Sequence, residues 1–309
     1  MVFIARPVTS PLPSFDLHLV RAARGTFTGP AEFLEDPQAR ARIAEYLTDM
    51  AGAYDRKVQT ELFDQPPSPQ LGQSYGEMAR SLIDSAVRPD EPVDLLILAF
   101  SVHDLRPGRQ TAAYLSHVTP GTPTAFAVCD QGSAAAFTGL RLAREYAASA
   151  KVHRTLLIVV EQAALPYSCP VPLPSHHQGV AMLYGDGDTP RARVVGVRQH
   201  PGIAPGDVAD RAAADLTDLA DLTDRASGHH EVAVVLSDTL AEHWTPPVAL
   251  RAKVMPPGQP STGIWWGLID EFTSQAVQSQ LLVVADYDPG LRYLCLTGFA
   301  TEAGYHINV

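Results

Sequence analysis

The sequence predicts an internally duplicated α/β protein in which two mixed sheets sandwich a pair of central helices. First, the order helix, strand, helix, strand, helix, strand, strand occurs twice along the chain. Second, the helix that begins near Gly132 carries small apolar residues on nearly every side, which is typical of a helix inside a core. We therefore assign residues 1–200 to an N-terminal half with a divergent extension and residues 201–309 to a C-terminal half.

The first copy of this order becomes regular at about residue 76, where apolar periodicity predicts alternating helices and strands. Its elements are predicted at Tyr75–Val87 (helix), Asp94–Phe100 (strand), Pro107–Val118 (helix), up to Val128 (strand), from Gly132 (helix), and Thr155–Val160 and Val180–Tyr184 (strands). A further strand, Arg193–Val197, follows before the second copy begins. Residues 1–74 are less regular because proline and glycine are scattered through them. Within them we expect a first strand at Val2–Val8, a helix at Pro37–Tyr54 and a loop at Pro66–Pro69.

The second copy follows the same pattern without evident sequence identity to the first, so the repeat is structural. Its elements are predicted at Pro205–Ala226 (helix), Val232–Leu236 (strand), Asp238–Ala249 (helix), up to Val254 (strand), Ser261–Val277 (helix), Gln280–Ala285 and Arg292–Phe299 (strands). A proline-rich turn, Pro256–Pro260, separates the short strand from the helix that follows it.

Composition excludes several classes of function. The net charge is −11, with 34 acidic and 23 basic residues, which is unsuited to a broad nucleic-acid surface. We find no apolar run long enough to span a membrane, and Arg6 and Pro7 interrupt the stretch that a signal peptide needs, so a cytoplasmic protein is expected. The three cysteines, Cys129, Cys169 and Cys295, form neither a disulfide framework nor a zinc pattern.

The segment Phe126–Phe137 predicts a strand that turns sharply through Gly132 into the buried helix. Ser133 is then placed at the positive end of the helix dipole, beside backbone N–H groups that can receive an oxyanion. Serine is also among the best helix N-caps, so a purely structural role explains the same residue. Cys129 precedes this turn by four residues and is interpreted as a small core hydrophobe.

At these residues the chain resembles the ketoacyl-ACP synthase III family of the thiolase superfamily. The resemblance extends over about residues 76 to 300. The resemblance lies in the segments AFAVCDQGSAAAFTGLRLAREY, TLLIVVEQ, VAMLYGDGD, HHEVAVVLSDTLAEHW and MPPGQPSTGIWWGLIDEF. It implies a thiolase fold, acyl-CoA or acyl carrier protein as a substrate with no other cofactor, and a dimer. Registration from the helix side places Ser133 at the family's nucleophilic cysteine, whereas registration from the strand side places Gly132 there.

The resemblance fails at the family's other catalytic positions. Its histidine corresponds to Leu236, Ser237 or Asp238, and its asparagine to Gln259. Its glycine-rich loop, which supplies an oxyanion N–H, corresponds to the segment from Asp286 to Gly290, in which Pro289 has no N–H to donate. Decarboxylative condensation requires donors that hold an enolate, so we expect no chain-extending condensation.

A serine nucleophile requires a base, and no matched position supplies one. His103 follows the strand that ends at Phe100, and His177 lies beside His176 where the family has a loop near the coenzyme A entrance. Either could be recruited, although a turn histidine at His103 and a solvated pair at His176 and His177 are the structural alternatives.

Two functions remain open at this point. The first is acyl transfer from coenzyme A or an acyl carrier protein to an acceptor in a biosynthetic pathway, by way of Ser133. The second is a catalytically silent partner that completes a heterodimer with an active ketosynthase, as chain-length-factor-like subunits do. The Ser133 hydroxyl at the position of the family's nucleophile favours acyl transfer. The loss of the family's catalytic residues favours the silent partner.

Overall fold

The computed structural model describes residues 17–64, 69–106, 110–149, 152–168, 171–185, 192–227, 231–274 and 280–301. The strands are β1 (His18–Thr26), β2 (Leu95–Ala99), β3 (Thr124–Val128), β4 (Arg154–Glu161), β5 (Gln178–Gly185), β6 (Ala192–Pro201), β7 (Glu231–Leu236), β8 (Arg251–Val254), β9 (Gln280–Asp288) and β10 (Tyr293–Thr301). The helices are α1 (Pro37–Gly52), α2 (Tyr75–Ala86), α3 (Thr111–Val118), α4 (Ala135–Ser149), α5 (Val208–Ser227), α6 (Asp238–Ala241) and α7 (Gly263–Thr273).

The duplication appears directly in the order of the strands. The sheet order is β3-β2-β4-β5-β1-β6-β10-β9-β7-β8, so each half contributes five strands in the same relative order. The halves are joined by a short antiparallel pairing in which His18 and Leu19 face Arg193 and Ala192. The two predicted mixed sheets are therefore continuous at this junction. The proposed boundary at residue 200 falls near the end of β6, whose long pairing is with β10.

The central helices α4 and α7 lie between the two five-stranded halves, as predicted. One apolar cluster contains α4, α7 and alternate residues of both halves, and the Phe137 and Trp265 rings meet in it at 5.0 Å. The other faces of the strands pack on α2 and α3 in the first half and on α5 and α6 in the second. Successive side chains along each strand therefore point alternately toward the central helices and toward the outer helices, which gives one central layer and two outer layers.

The structure differs from the predicted elements mainly near the N terminus and at α6. The first described strand is β1, at His18–Thr26, whereas the predicted strand at Val2–Val8 lies outside the described residues. Helix α6 ends at Ala241, well before Ala249, and Pro246 and Pro247 follow in the connection to β8. Within the described ranges, no helix is long and apolar enough to cross a membrane.

Candidate active site

The turn between β3 and α4 takes the sharp form that the sequence predicts. Asp130 and Gly132 have φ values of 60° and 53°, and a 3-10 turn over Gly132–Ala134 leads into α4. Glycine suits position 132 because of its positive φ, and an added Cβ would lie only 1.9 Å from Oδ2 of Asp288, so a larger residue would displace that carboxylate. Ser133 is 7% exposed and lies at the start of the central helix.

Strand β9 brings a carboxyl group to this turn. Leu282 and Val284 face the central layer, so alternation directs Asp286 and Asp288 to the same side. Asp286 is 2% exposed, and its Oδ2 atom has no hydrogen-bond partner among the described residues. Burial raises the pKa of Asp286 to about 6, although hydrogen bonding from the Ser133 and Ser237 hydroxyls lowers it in part. Asp286 is thus a buried carboxyl that titrates near neutrality beside Ser133.

The second carboxylate, Asp288, contacts the backbone at the same place. Its Oδ2 atom accepts a long hydrogen bond from the backbone N–H of Ser133 at 3.4 Å, and its Oδ1 atom accepts one from Leu291 at 3.0 Å. The N–H group that would stabilise an oxyanion therefore already faces a negative charge. An acyl transfer reaction at Ser133 would require this carboxylate to move aside.

Polar side chains of α4, β6 and β10 continue the site into the central layer. Thr138 donates to Oε1 of Gln131 at 2.5 Å and accepts from Nε2 of Gln199 at 2.9 Å. Gln199 also approaches the Cys295 sulfur at 3.9 Å, while its Oε1 atom is buried without a partner in the described part of the chain. Burial raises the pKa of the Cys295 thiol well above its ordinary value, and the nearby charge of Asp286 raises it further. Cys295 is therefore a neutral thiol.

The positions matched to the family's other catalytic residues lie in three separate segments of the second half. Ser237 caps α6 by accepting from Leu240 N–H at 3.2 Å, and Asp238 is the half-buried first residue of α6. Gln259 donates to the His176 carbonyl at 3.2 Å, and its Oε1 atom is buried without a described partner. Gly290 lies in the β9–β10 turn beside Asp288. Among these side chains, the Ser237 hydroxyl is the one that lowers the pKa of the Asp286 carboxyl by hydrogen bonding.

The two histidines considered as bases have different surroundings. His177 is 9% exposed, and its ring nitrogens meet the Ala163 N–H and the Gln70 carbonyl, both at 3.2 Å. Burial lowers its pKa, and the ring bridges two backbone segments. His103 is exposed, with Nε2 3.9 Å from a carboxylate oxygen of Asp130. The structure gives neither ring a contact with Ser133.

From the sequence alone, Asp286 is expected only as part of the segment that replaces the family's glycine-rich loop, with no role for its side chain. A signal was present: two acidic residues at alternate positions end a buried strand, and α/β proteins place functional groups at such strand ends. That signal could not identify Ser133 as the neighbour, because the two residues lie 153 positions apart in the chain.

No model of a known protein family matches this sequence, and no curated protein matches it significantly. Solved structures do match its fold. ChlB3, described as an acyltransferase, has 15% identity over 94% of this chain and 99% of its own, with a TM-score of 0.59. AbyA1, a tetronic acid condensing enzyme, has 15% identity over 93% of this chain and 100% of its own, with a TM-score of 0.58.

A third match is 3-oxoacyl-(acyl-carrier-protein) synthase III from Aquifex aeolicus VF5, with 14% identity over 92% of this chain and 99% of that chain, and a TM-score of 0.52. At these identities the likeness shows the fold. The chain has the thiolase fold in the form found in ketoacyl-ACP synthase III, as the sequence resemblance implied.

Proposed function

We propose that this protein is an acyltransferase that carries an acyl group from a coenzyme A or acyl carrier protein thioester to an acceptor by way of Ser133. The observation that carries this proposal is the buried Asp286 carboxyl, whose pKa of about 6 and unpaired Oδ2 atom suit a base beside the Ser133 hydroxyl. Asp286 thereby supplies the proton acceptor for which the sequence offered His103 and His177.

The reaction has two balanced steps. Ser133 Oγ attacks the thioester carbonyl carbon while its proton passes to ionised Asp286, and the carbon–sulfur bond then breaks. The leaving thiolate takes the proton back from Asp286, which leaves an acyl ester on Ser133. In the second step an acceptor hydroxyl, amine or thiol passes its proton to Asp286 and attacks this ester, the bond to Oγ breaks, and Asp286 returns the proton to Ser133 Oγ. No oxidant or metal is required.

Transfer without carbon–carbon bond formation is consistent with the residues around the turn. The family's enolate donors correspond here to Leu236, Ser237 or Asp238 and to Gln259, and the Gln259 amide donates to the His176 carbonyl. Loss of one preorganised donor costs about 3 to 4 kcal/mol in the transition state. Of the structural neighbours, ChlB3 is named as an acyltransferase and AbyA1 as a condensing enzyme, and the donor set here favours the first kind of chemistry.

A second function, that of a catalytically silent subunit paired with an active ketosynthase, is favoured by Asp288. Its carboxylate faces the Ser133 N–H, where an acyltransferase would bind the oxyanion. The Asp288 carboxylate repels a further negative charge at this N–H group, so the tetrahedral intermediate would be disfavoured as long as Asp288 stays in place.

The deciding experiment is intact-protein and peptide mass spectrometry after incubation with acyl-CoA and acyl-ACP donors. We expect an acyl adduct on the peptide containing Ser133, abolished by Ser133→Ala and slowed at least 100-fold by Asp286→Asn. Ser237→Ala is the matched control, because it removes the other hydroxyl beside Asp286 and should leave the adduct in place.

Asp288→Asn separates the two functions. An active enzyme should acylate faster when this charge is removed from the oxyanion position. A wild-type protein that forms no adduct with any donor, together with an Asp288→Asn variant that does, would support the silent partner. An adduct that persists in Ser133→Ala would overturn the assignment of Ser133.

A further inference from the structure

A row of side chains crosses three neighbouring strands at the candidate active site. Cys295 on β10 pairs with Gln199 on β6 and with Asp286 on β9, and side chains at paired positions lie on the same face of a sheet. Cys295 belongs to the central apolar cluster, so this face is the one turned toward the central helices. Asp286 is the carboxyl that lies beside Ser133, so the row reaches the proposed nucleophile.

The row contains two hydrogen-bond acceptors that lack donors. The Oδ2 atom of Asp286 and the Oε1 atom of Gln199 are both buried, and neither has a partner among the described residues. The orientation of the Gln199 amide follows from its neighbours, because Thr138 donates to Gln131 and therefore accepts from Gln199 Nε2. A ligand that satisfies this row must accordingly supply hydrogen-bond donors.

The Asp288 carboxylate, at the end of β9, is a further acceptor at this turn. Its Oδ2 atom is 3.4 Å from the Ser133 backbone nitrogen, whereas an ordinary N–H···O bond measures about 2.7 to 3.2 Å. In the described part of the chain, no lysine, arginine or histidine pairs with Asp286 or Asp288. A cationic donor would bind Asp288 more closely than the Ser133 N–H does, since charge-assisted bonds measure about 2.7 to 2.9 Å.

An amine matches these acceptors better than a hydroxyl does. An ammonium group has three N–H donors and a positive charge, so it can bond to Asp286 and Asp288 together, whereas a hydroxyl has one donor. Pairing with a cation also draws the Asp288 carboxylate away from the Ser133 N–H, which frees that donor for an oxyanion. The net charge of −11 favours the approach of a cation over that of an anion.

We propose that the acyl acceptor is a primary amine, which binds Asp288 as its ammonium form and thereby opens the Ser133 N–H group to the acyl donor. This inference rests on the acyl transfer proposed above. The ammonium loses one proton to solvent before it reacts. The amine then passes a second proton to Asp286 while its nitrogen attacks the Ser133 ester. The bond to Oγ breaks, Asp286 returns that proton to Oγ, and an amide is released.

The first test separates the charge of the acceptor from its reactivity. Trimethylammonium is a cation with one N–H donor, and it cannot form a stable amide. In intact-protein mass spectrometry it should speed acyl-adduct formation from acyl-CoA about fivefold over sodium chloride at equal ionic strength. Asp288→Asn should acylate quickly without the cation and show no response to it. Asp130→Asn is the matched control, because Asp130 is an exposed carboxylate of the same turn and its variant should respond like wild type.

The second test compares two acceptors of the same shape. Neohexylamine and neohexyl alcohol differ only in the terminal amine or hydroxyl group. The rate at which the amine removes the acyl group, divided by the rate for the alcohol, should fall about tenfold in Asp288→Asn. The intrinsic reactivity of each acceptor is the same toward both proteins, so a change in this ratio reports binding at Asp288. An unchanged ratio, or a response to trimethylammonium that survives in Asp288→Asn, would overturn the proposal.

Binding measured without an acyl donor separates this inference from the proposed function. Saturation-transfer NMR on the tert-butyl signal should detect neohexylammonium on the wild-type protein. The signal should be displaced by trimethylammonium and lost in Asp288→Asn. Such binding to a protein that forms no acyl adduct would support the ammonium site and overturn acyl transfer. An adduct on Ser133 in a protein that binds no ammonium would support acyl transfer and overturn the amine acceptor.

Discussion

At the scale of single residues, the candidate site combines a hydroxyl with two carboxyl groups of different surroundings. Asp286 is enclosed on β9, whereas Asp288 is half-buried at the end of the same strand. The charge of Asp288 contributes to the raised pKa of Asp286, after the larger effect of burial. Two neighbouring carboxyls with unequal environments are a common basis for assigning one as base and the other as an electrostatic group.

The raised pKa of Asp286 predicts how stability depends on pH. The native state holds this proton up to about pH 6, whereas the unfolded chain releases it near 3.8, so the native state binds more protons between these values. The contribution of Asp286 to the free energy of unfolding therefore falls as pH rises from about 4 to 6. The difference of roughly two pKa units corresponds to about 3 kcal/mol.

Asp286→Asn should remove this part of the pH dependence and make the protein more stable than wild type at pH 8. Urea denaturation at pH 4, 6 and 8 measures the effect. Asp90→Asn, at an exposed position, serves as the control. If Asp286→Asn lost as much stability between pH 4 and 6 as wild type does, the carboxyl would not titrate as described.

At the scale of secondary structure, long segments with a clear apolar period could be predicted. Elements that depend on contacts with distant parts of the chain could not. Helix α2 begins at its predicted residue, where Ser74 and Glu77 form a capping box, and it ends one residue before its predicted limit because its apolar positions follow a clear helical period. Strand β1 was missed because its segment, with Arg21 and Arg24, lacks the continuous apolar run of the other inner strands. Neighbouring segments neutralise the two arginines of this strand, since Arg21 pairs with Glu91 and Arg24 with Asp270.

Helix α7 depends on a carboxyl group supplied by the other half of the chain. Glu161 at the end of β4 accepts hydrogen bonds from the backbone N–H groups of Ser261 and Thr262 at 2.9 and 3.2 Å, and also from the Thr262 hydroxyl. The Thr262 side chain does not cap α7 itself. Glu161 therefore satisfies buried donors at the start of a central helix and connects the two halves.

Glu161→Ala should lower the free energy of unfolding by about 3 kcal/mol or more, since each buried donor left without a partner costs about 1 to 3 kcal/mol. Glu161→Gln keeps one acceptor oxygen and should lose less. Urea denaturation at pH 7 gives both values, with exposed Glu45→Ala as the control. Equal stability of Glu161→Ala and wild type would show that these bonds do not hold the start of α7.

At the scale of the whole molecule, duplication places the candidate site where the two halves meet. Ser133 belongs to the first half, whereas Ser237, Asp286 and Asp288 belong to the second. The repeated order of elements and the two central helices could be predicted from local patterns. The carboxyl beside Ser133 could not, because its raised pKa arises from burial between elements that are distant in sequence.

The two edges of the sheet differ in a way that predicts assembly. Edge strands invite pairing with another chain unless they carry charges or are covered. Strand β8 carries Arg251 and Lys253, and Lys253 pairs with Asp270 at 2.9 Å. Strand β3, with the sequence TAFAV, carries no charge and pairs only with β2 in the described structure. We therefore predict a dimer through the backbone edge of β3.

Light scattering at micromolar concentration should give about twice the chain mass of 33.2 kDa for the protein alone, or for a mixture with a ketosynthase-like partner if the assembly is heterodimeric. Ala127→Lys places a charge at an exposed position of β3 and should yield a monomer, because two such edges would repel and bury unpaired amines. Ala252→Lys adds the same charge at an exposed position of β8 and should leave the dimer intact. A wild-type monomer both alone and in the mixture would contradict the predicted dimer. Dissociation caused by Ala252→Lys and not by Ala127→Lys would show that the contact lies at β8 and not at β3.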